Sequence, residues 1–180
     1  MGRTLKEIAP RTERVAALFN PATAVPVQLL FPSIQAAASS VGVQASLAPF
    51  HAREELDGIV AEQARNPGAG LILIPDLLFV AKPENRELIL SLTARYRVPT
   101  MYFLPGFVAA GGLIAYATDL TELFRKAAGY VDRVLKGEKP ANLPIEAPTK
   151  YQLLINLKTA AALGLSVPQT LLVTADEVID

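Results

Sequence analysis

Leu71-Ile72-Leu73-Ile74-Pro75-Asp76 is the stretch on which the fold turns. Four aliphatic residues in succession, stopped by a proline, have the signature of a central parallel strand covered on both faces. A strand with one wet face would alternate, and a helix would need a longer run. Upstream, Arg53 to Asn66 carries Leu56, Ile59, Val60 and Ala64 at helical spacing and ends at Pro67-Gly68. Downstream, Pro83 suits the first position of a helix running to Arg97, with Leu88, Leu92 and Tyr96 on one face.

The same alternation extends in both directions. Arg14 to Phe19 is a buried strand that ends at the breaker pair Asn20-Pro21. From Val25 to Val41, Val27, Leu30, Ile34, Ala38 and Val41 recur at helical spacing, with Pro32 either kinking that helix or marking its start. Val43 to Phe50 alternates as a second strand, Thr100 to Leu104 forms a fourth, and Leu113 to Tyr116 a fifth after Gly111-Gly112. Asp119-Leu120-Thr121-Glu122 is a capping box opening a long helix to Lys136, closed by Gly137. Five strands alternating with helices predict an α/β fold, a three-layer doubly wound parallel sheet. Right-handed crossovers favour the strand order 2-1-3-4-5.

Composition changes after Gly137. Lys139-Pro140 through Ala147-Pro148 is Pro-rich and extended, Tyr151 to Ile155 is strand-like, Leu157 to Leu163 a short helix, and Pro168 to Ile179 a helical tail. The expectation is an α/β lobe over residues 1–138, and over 139–180 a crossover and extended tail that is not a sixth unit of the same sheet.

Seventeen basic residues balance seventeen acidic ones with no basic stripe, so the field that holds nucleic acid is missing. With 51% hydrophobic and 19% charged residues the chain has the composition of a folded domain. Apolar stretches break well short of the roughly 18 residues a membrane span requires. Met1 to Ile8 is polar and helix-like, without the apolar region of an export signal. There is no cysteine, and His51 is the sole histidine, so neither a zinc site nor a Ser-His-Asp triad can be assembled and no metal or cofactor is expected. The reading is not an enzyme. Glycine-rich phosphate loops are missing, and a receiver domain would need carboxylates near the first strand, which is apolar.

Open parallel sheets bind ligands beyond the carboxyl ends of their strands. Those loops hold Asn20, Asp76 with Phe79, Gly106 with Phe107, and Tyr116 with Asp119, while Tyr102 lies on the fourth strand. Amide, carboxylate, hydroxyl and aromatic groups on one rim suit a small polar or aromatic ligand. Each has a plainer role. Asn20 is a turn former, Asp76 and Asp119 are helix caps, and Phe79, Tyr102, Phe107 and Tyr116 are core residues.

Three long motifs stand in series: Gly111-Gly112-Leu113-Ile114-Ala115-Tyr116, then Asp119-Leu120 with Phe124 through Gly137, then Pro148 through Ala160. With the close Leu163-Gly164-Leu165-Ser166-Val167-Pro168 and Ala175 through Ile179, they resemble the carboxyl-terminal half of the ABC transporter substrate-binding protein family, which includes tryptophan- and tyrosine-binding members.

That resemblance implies one lobe of a two-lobe type I periplasmic-binding-protein fold. Asp76, Phe79, Tyr102, Phe107 and Tyr116 would then lie near the ligand, and an ABC permease would be the partner of a full-length protein. It implies a periplasmic or lipid-anchored extracytoplasmic place for the family; this sequence, starting where such chains cross into the second lobe and lacking a signal, would be cytoplasmic if complete. Residues 141–180 would have lost their platform, and the unpaired Tyr151 to Ile155 strand suggests a homodimer through that segment. A lobe alone should bind ligand at near-millimolar affinity. The alternative is a stand-alone α/β interaction or regulatory domain that keeps the fold.

Overall fold

Alternate side chains of β1 (Arg14–Phe19) enter opposite cores: Val15, Ala17 and Phe19 one, Ala16 and Leu18 the other, all buried. The aliphatic run of β3 (Ala69–Leu73) divides likewise, with Ile72, and Ile74 just beyond the strand, in the first core and Leu71 and Leu73 in the second. Burial on both faces explains why neither strand alternates in polarity. The computed structural model that shows this describes residues 2–24 and 27–180.

β1 lies between β2 (Gln44–Pro49) and β3, parallel to both, with Arg14 opposite Gln44 and Ala69. β4 (Thr100–Tyr102) and β5 (Ile114–Thr118) continue the parallel sheet. The expected order 2-1-3-4-5 is thus present. α1 (Gly2–Ile8) and α2 (Val27–Ser39) cover the first face through Leu5, Ile8, Val27 and Ala38. α3 (Glu55–Ala64) and α5 (Pro83–Arg95) cover the second through Leu56, Val60, Ile89 and Leu92.

Two short helices stand where the pattern indicates loops: α4 (Leu77–Ala81) at the end of β3 and α6 (Pro105–Ala109) at the end of β4. Five residues are too few to display a period, although Asp76 as cap and Pro105 at the first turn are start signals. Pro32 lies inside α2 and does not start it, and Val25, read as that helix's first residue, falls outside the described residues.

The tail corrects the sequence reading. β6 (Tyr151–Asn156) adds to the same sheet antiparallel to β5, and β7 (Glu177–Ile179) adds parallel to β6, giving the order 2-1-3-4-5-6-7. Leu153 and Ile155 enter the first core and Leu154 the second, so this strand is neither unpaired nor without a platform. Asp176 clasps it: its N–H donates to the Leu153 carbonyl at 2.9 Å and its carboxylate accepts the Leu153 N–H at 2.8 Å. The stretch read as a helix from Pro168 to Ile179 is helical only as α9 (Gln169–Thr174); α8 (Leu157–Ala162) precedes it, and Ala160 and Leu171 close the first core. The exposed edge that suggested a homodimer through residues 141–180 is therefore paired within the chain.

α7 (Leu120–Leu135) belongs to neither layer and has no buried residue. One side lies along the returning segment, where Lys126 pairs with Glu146 at 3.1 Å and the Tyr130 hydroxyl donates to the Pro144 carbonyl at 2.7 Å. Among the described residues no helix is long and apolar enough to cross a membrane.

Candidate functional site

The tips of β1 and β3 are tied together by Asp76. It is 3% exposed, caps α4, and accepts three hydrogen bonds, from the Asn20 N–H at 2.9 Å, the Thr23 hydroxyl at 2.7 Å and the Leu78 N–H at 2.9 Å. A carboxylate is suited to this place because it has acceptor capacity for several donors and no proton to satisfy. Asn20, also buried, accepts the Ala22 N–H through its side-chain oxygen and donates to the His51 carbonyl at 3.3 Å. Asn20 and Asp76 are thus brought together, facing each other.

Beneath them lies an aromatic cluster. Phe107 stacks on Tyr102 with ring centres 4.9 Å apart and meets Phe79 edge-on at 6.5 Å, and Phe79 reaches Phe50 at 5.6 Å. Phe79, Tyr102 and Phe107 are at most 2% exposed. The Tyr102 hydroxyl shares a 2.8 Å hydrogen bond with Thr93, and burial pushes its pKa up to about 12 against the lowering effect of that bond. These rings set the shape and rigidity of the rim from below.

Asp119 caps α7, accepting the Glu122 N–H at 3.1 Å, while the Glu122 carboxylate turns to Arg125 and leaves the capping box half made. Lys150 lies 2.9 Å from the Asp119 carboxylate, and the Asp119 N–H donates to the Lys150 carbonyl at 3.0 Å. That pair joins the outgoing and returning segments at the edge of the sheet. The hydrogen bond and charge of Lys150 hold the Asp119 carboxyl below its usual range, and Asp119 holds Lys150 above its own.

Gly106 and Tyr116 remain open to solvent. Gly106 is exposed at the first turn of α6. Tyr116 is partly exposed and stacks nearly parallel on Tyr151, ring centres 5.4 Å apart, forming an aromatic plate near the tip of β5. Leu77 and Val80 on α4 are also exposed, at 67% and 55%.

Sequence reasoning missed Arg86. It projects from α5 so that a Cβ placed on Gly106 would lie 3.8 Å from its Nη1. Its Nε is buried without a hydrogen-bond partner among the described residues. A desolvated, unpaired guanidinium donor is costly and suits a carboxylate. Nothing in the local sequence distinguishes Arg86 from an ordinary surface charge on a helix.

A recess of about 470 Å³ lies elsewhere, at the amino ends of the strands between Arg11, Asn66, Arg97 and Leu165. Open α/β sheets bind at the opposite end, so we assign the rim around Gly106 and Tyr116 as the candidate site. Among the described residues no group of three or more His, Asp or Glu gathers as metal donors.

The family model described as ABC transporter substrate binding protein matches residues 3–179. No curated protein matches the chain. Among solved structures, an ABC domain from Streptococcus pneumoniae in complex with L-Trp superposes with a TM-score of 0.85 at 21% identity, covering 99% of this chain and 59% of that one. A conserved domain protein from Vibrio cholerae gives 0.83 at 19% identity, covering 98% and 58%. A ligand-free, open substrate-binding protein with adhesive properties from Clostridium difficile gives 0.71 at 17% identity, again covering 98% and 58%. The chain therefore spans under two thirds of these relatives' length, and the likeness establishes the fold. On the family match over nearly its whole length, the chain belongs to the ABC transporter substrate binding protein family.

Proposed function

We propose that this chain forms one wall of a solute-binding cleft serving an ABC importer, and that its ligand is a small carboxylate with an apolar or aromatic body, such as an amino acid. The carrying observation is Arg86, whose buried Nε lacks a partner beside exposed Gly106 at the carboxyl end of β4. In this reading the guanidinium takes the carboxylate. Tyr116 and Tyr151 offer a stacking surface, and Leu77 and Val80 an apolar one. Asn20, Asp76, Phe79, Tyr102 and Phe107 hold that rim from within, and Asp119 fixes the crossover. Residues 139–150 act as the return crossover between lobes, and an ABC permease is the partner of the whole protein. The L-Trp bound to the pneumococcal relative supports an amino acid as ligand.

The chain contains no tryptophan, so indole fluorescence reports a tryptophan ligand directly. One wall should bind L-tryptophan near millimolar, about −4 kcal/mol. Tryptamine, lacking the carboxylate, should bind at least about tenfold more weakly, and Arg86→Gln should remove that difference. Submicromolar binding, or equal binding of both compounds, would refute the reading.

A second reading, a stand-alone interaction domain with the same fold, is favoured by one observation, the bare apolar side of α7.

A further inference from the structure

Gly106 has neither of the two features that usually require a glycine. Its φ lies outside the left-handed region that Gly42, Gly68, Gly111, Gly137 and Gly164 occupy, and a Cβ on it would not be crowded as on Gly70 or Gly112. In the first turn of α6 it is exposed, and it weakens that helix relative to alanine. Gly58 and Gly129 are exposed helical glycines too, but a Cβ on either would meet nothing within 4 Å. On Gly106 it would meet one atom outside its own stretch of chain: Arg86 Nη1, at 3.8 Å, from the side chain whose Nε is buried without a partner among the described residues.

We infer that Gly106 is a specificity-determining position of this rim: the side chain it lacks leaves the Arg86 guanidinium open to a ligand's carboxylate, and a side chain there turns acids away. This deepens the proposed reading of the ligand as a carboxylate and rests on it. A carboxylate oxygen must come within about 2.8 Å of a guanidinium nitrogen, and a two-pronged contact needs a bare edge of donors. A methyl in van der Waals contact with Nη1 covers part of that approach, and a longer side chain closes it. Both residues are held by their neighbours. Phe107, next to Gly106, is buried and stacked on Tyr102, which pins α6. Asn85, next to Arg86, is buried and its amide donates to the Leu78 carbonyl at 3.2 Å, which ties α5 to α4. Aspartate in place of Gly106 has a further effect: it supplies from the chain itself the carboxylate that the ligand otherwise brings.

Titration of the 180-residue chain and its variants with L-tryptophan and with tryptamine tests this. Gly106→Ala should raise the urea midpoint, since alanine suits a helix better, and yet cut the preference for L-tryptophan over tryptamine from about tenfold to about threefold. Gly106→Asp should abolish the preference, as Arg86→Gln does. Adding Arg86→Gln to Gly106→Asp should change it no further, because both act through one guanidinium. If Gly106→Ala and Gly106→Asp keep the parent's preference while Arg86→Gln loses it, the inference falls and the carboxylate reading stands. If Arg86→Gln keeps the preference as well, the reading falls and takes the inference with it. Equal weakening of both compounds by Gly106→Ala, or a lowered urea midpoint, gives this glycine a packing role and likewise overturns the inference.

Discussion

The Asn20 backbone N–H donates to the Asp76 carboxylate at 2.9 Å, linking the tips of two adjacent parallel strands across 56 positions of sequence. Asp76 is buried, and its carboxylate is engaged by three donors within the chain. Asp76→Ala would leave the Asn20 and Leu78 N–H groups and the Thr23 hydroxyl without their acceptor, at a cost of about 2–4 kcal/mol. Urea unfolding should show a lowered midpoint at unchanged slope. A loss below about 0.5 kcal/mol would mean that water satisfies those donors.

Gly112 is the tightest glycine beneath the rim. A Cβ there would stand 2.7 Å from Tyr102 Cε2 and 2.9 Å from the Phe107 carbonyl oxygen. Gly112→Ala must therefore displace the stacked pair, and a loss of about 1–3 kcal/mol is expected in chemical unfolding. A variant as stable as the parent would show that the ring slides freely.

Alkaline pH tests the buried phenol. Tyr102 titrates at about 12 when folded, against an ordinary value of 10.0. Below pH 10 both states keep the proton and stability is complete. As pH rises from 10 towards 12 the unfolded chain releases it first, and stability falls by up to about 1.4 kcal/mol per pH unit. Tyr102→Phe should lose about 1 kcal/mol at neutral pH, with its bond to Thr93, and show a flatter decline above pH 10. Parallel alkaline limbs for the two proteins would contradict the assignment.

Acid acts on Asp119 and Lys150, 2.9 Å apart. The folded Asp119 carboxyl titrates below its usual range, so its contribution is present above the unfolded value and is lost as pH falls through the folded one. Lys150 has the opposite sign, its contribution being lost as pH rises through its elevated folded value. The gap in urea midpoint between the parent and Asp119→Asn should be widest near neutrality and narrow under strong acid. A gap independent of pH would reduce Asp119 to its capping role.

Much of the sheet was legible because burial on both faces writes itself into composition, as in Leu71 to Ile74 and Val15 to Phe19. β6 was legible as a strand but not as a member of this sheet: Tyr151 to Asn156 looks the same whichever neighbour it pairs with, and the register to β5 is set through space by the Asp119–Lys150 crossover. The aromatic residues show the same limit at the site. Phe79, Tyr102 and Phe107 stand close to loop ends in sequence, yet the short helices α4 and α6 turn Phe79 and Phe107 inward to join Tyr102, leaving Gly106 exposed and Tyr116 and the unsuspected Arg86 partly exposed. Arg86 was illegible because a buried Nε without a partner is a property of its surroundings.

Backbone amide shifts during titration with L-tryptophan test the central claim, that the carboxyl ends of the strands carry the ligand, most directly. The shifts should cluster at residues 77–81, 104–108 and 116–119, with Arg86, and be lost in Arg86→Gln. Shifts confined to the groove around Arg11 and Arg97 at the opposite end, or none at about 10 mM ligand, would contradict it.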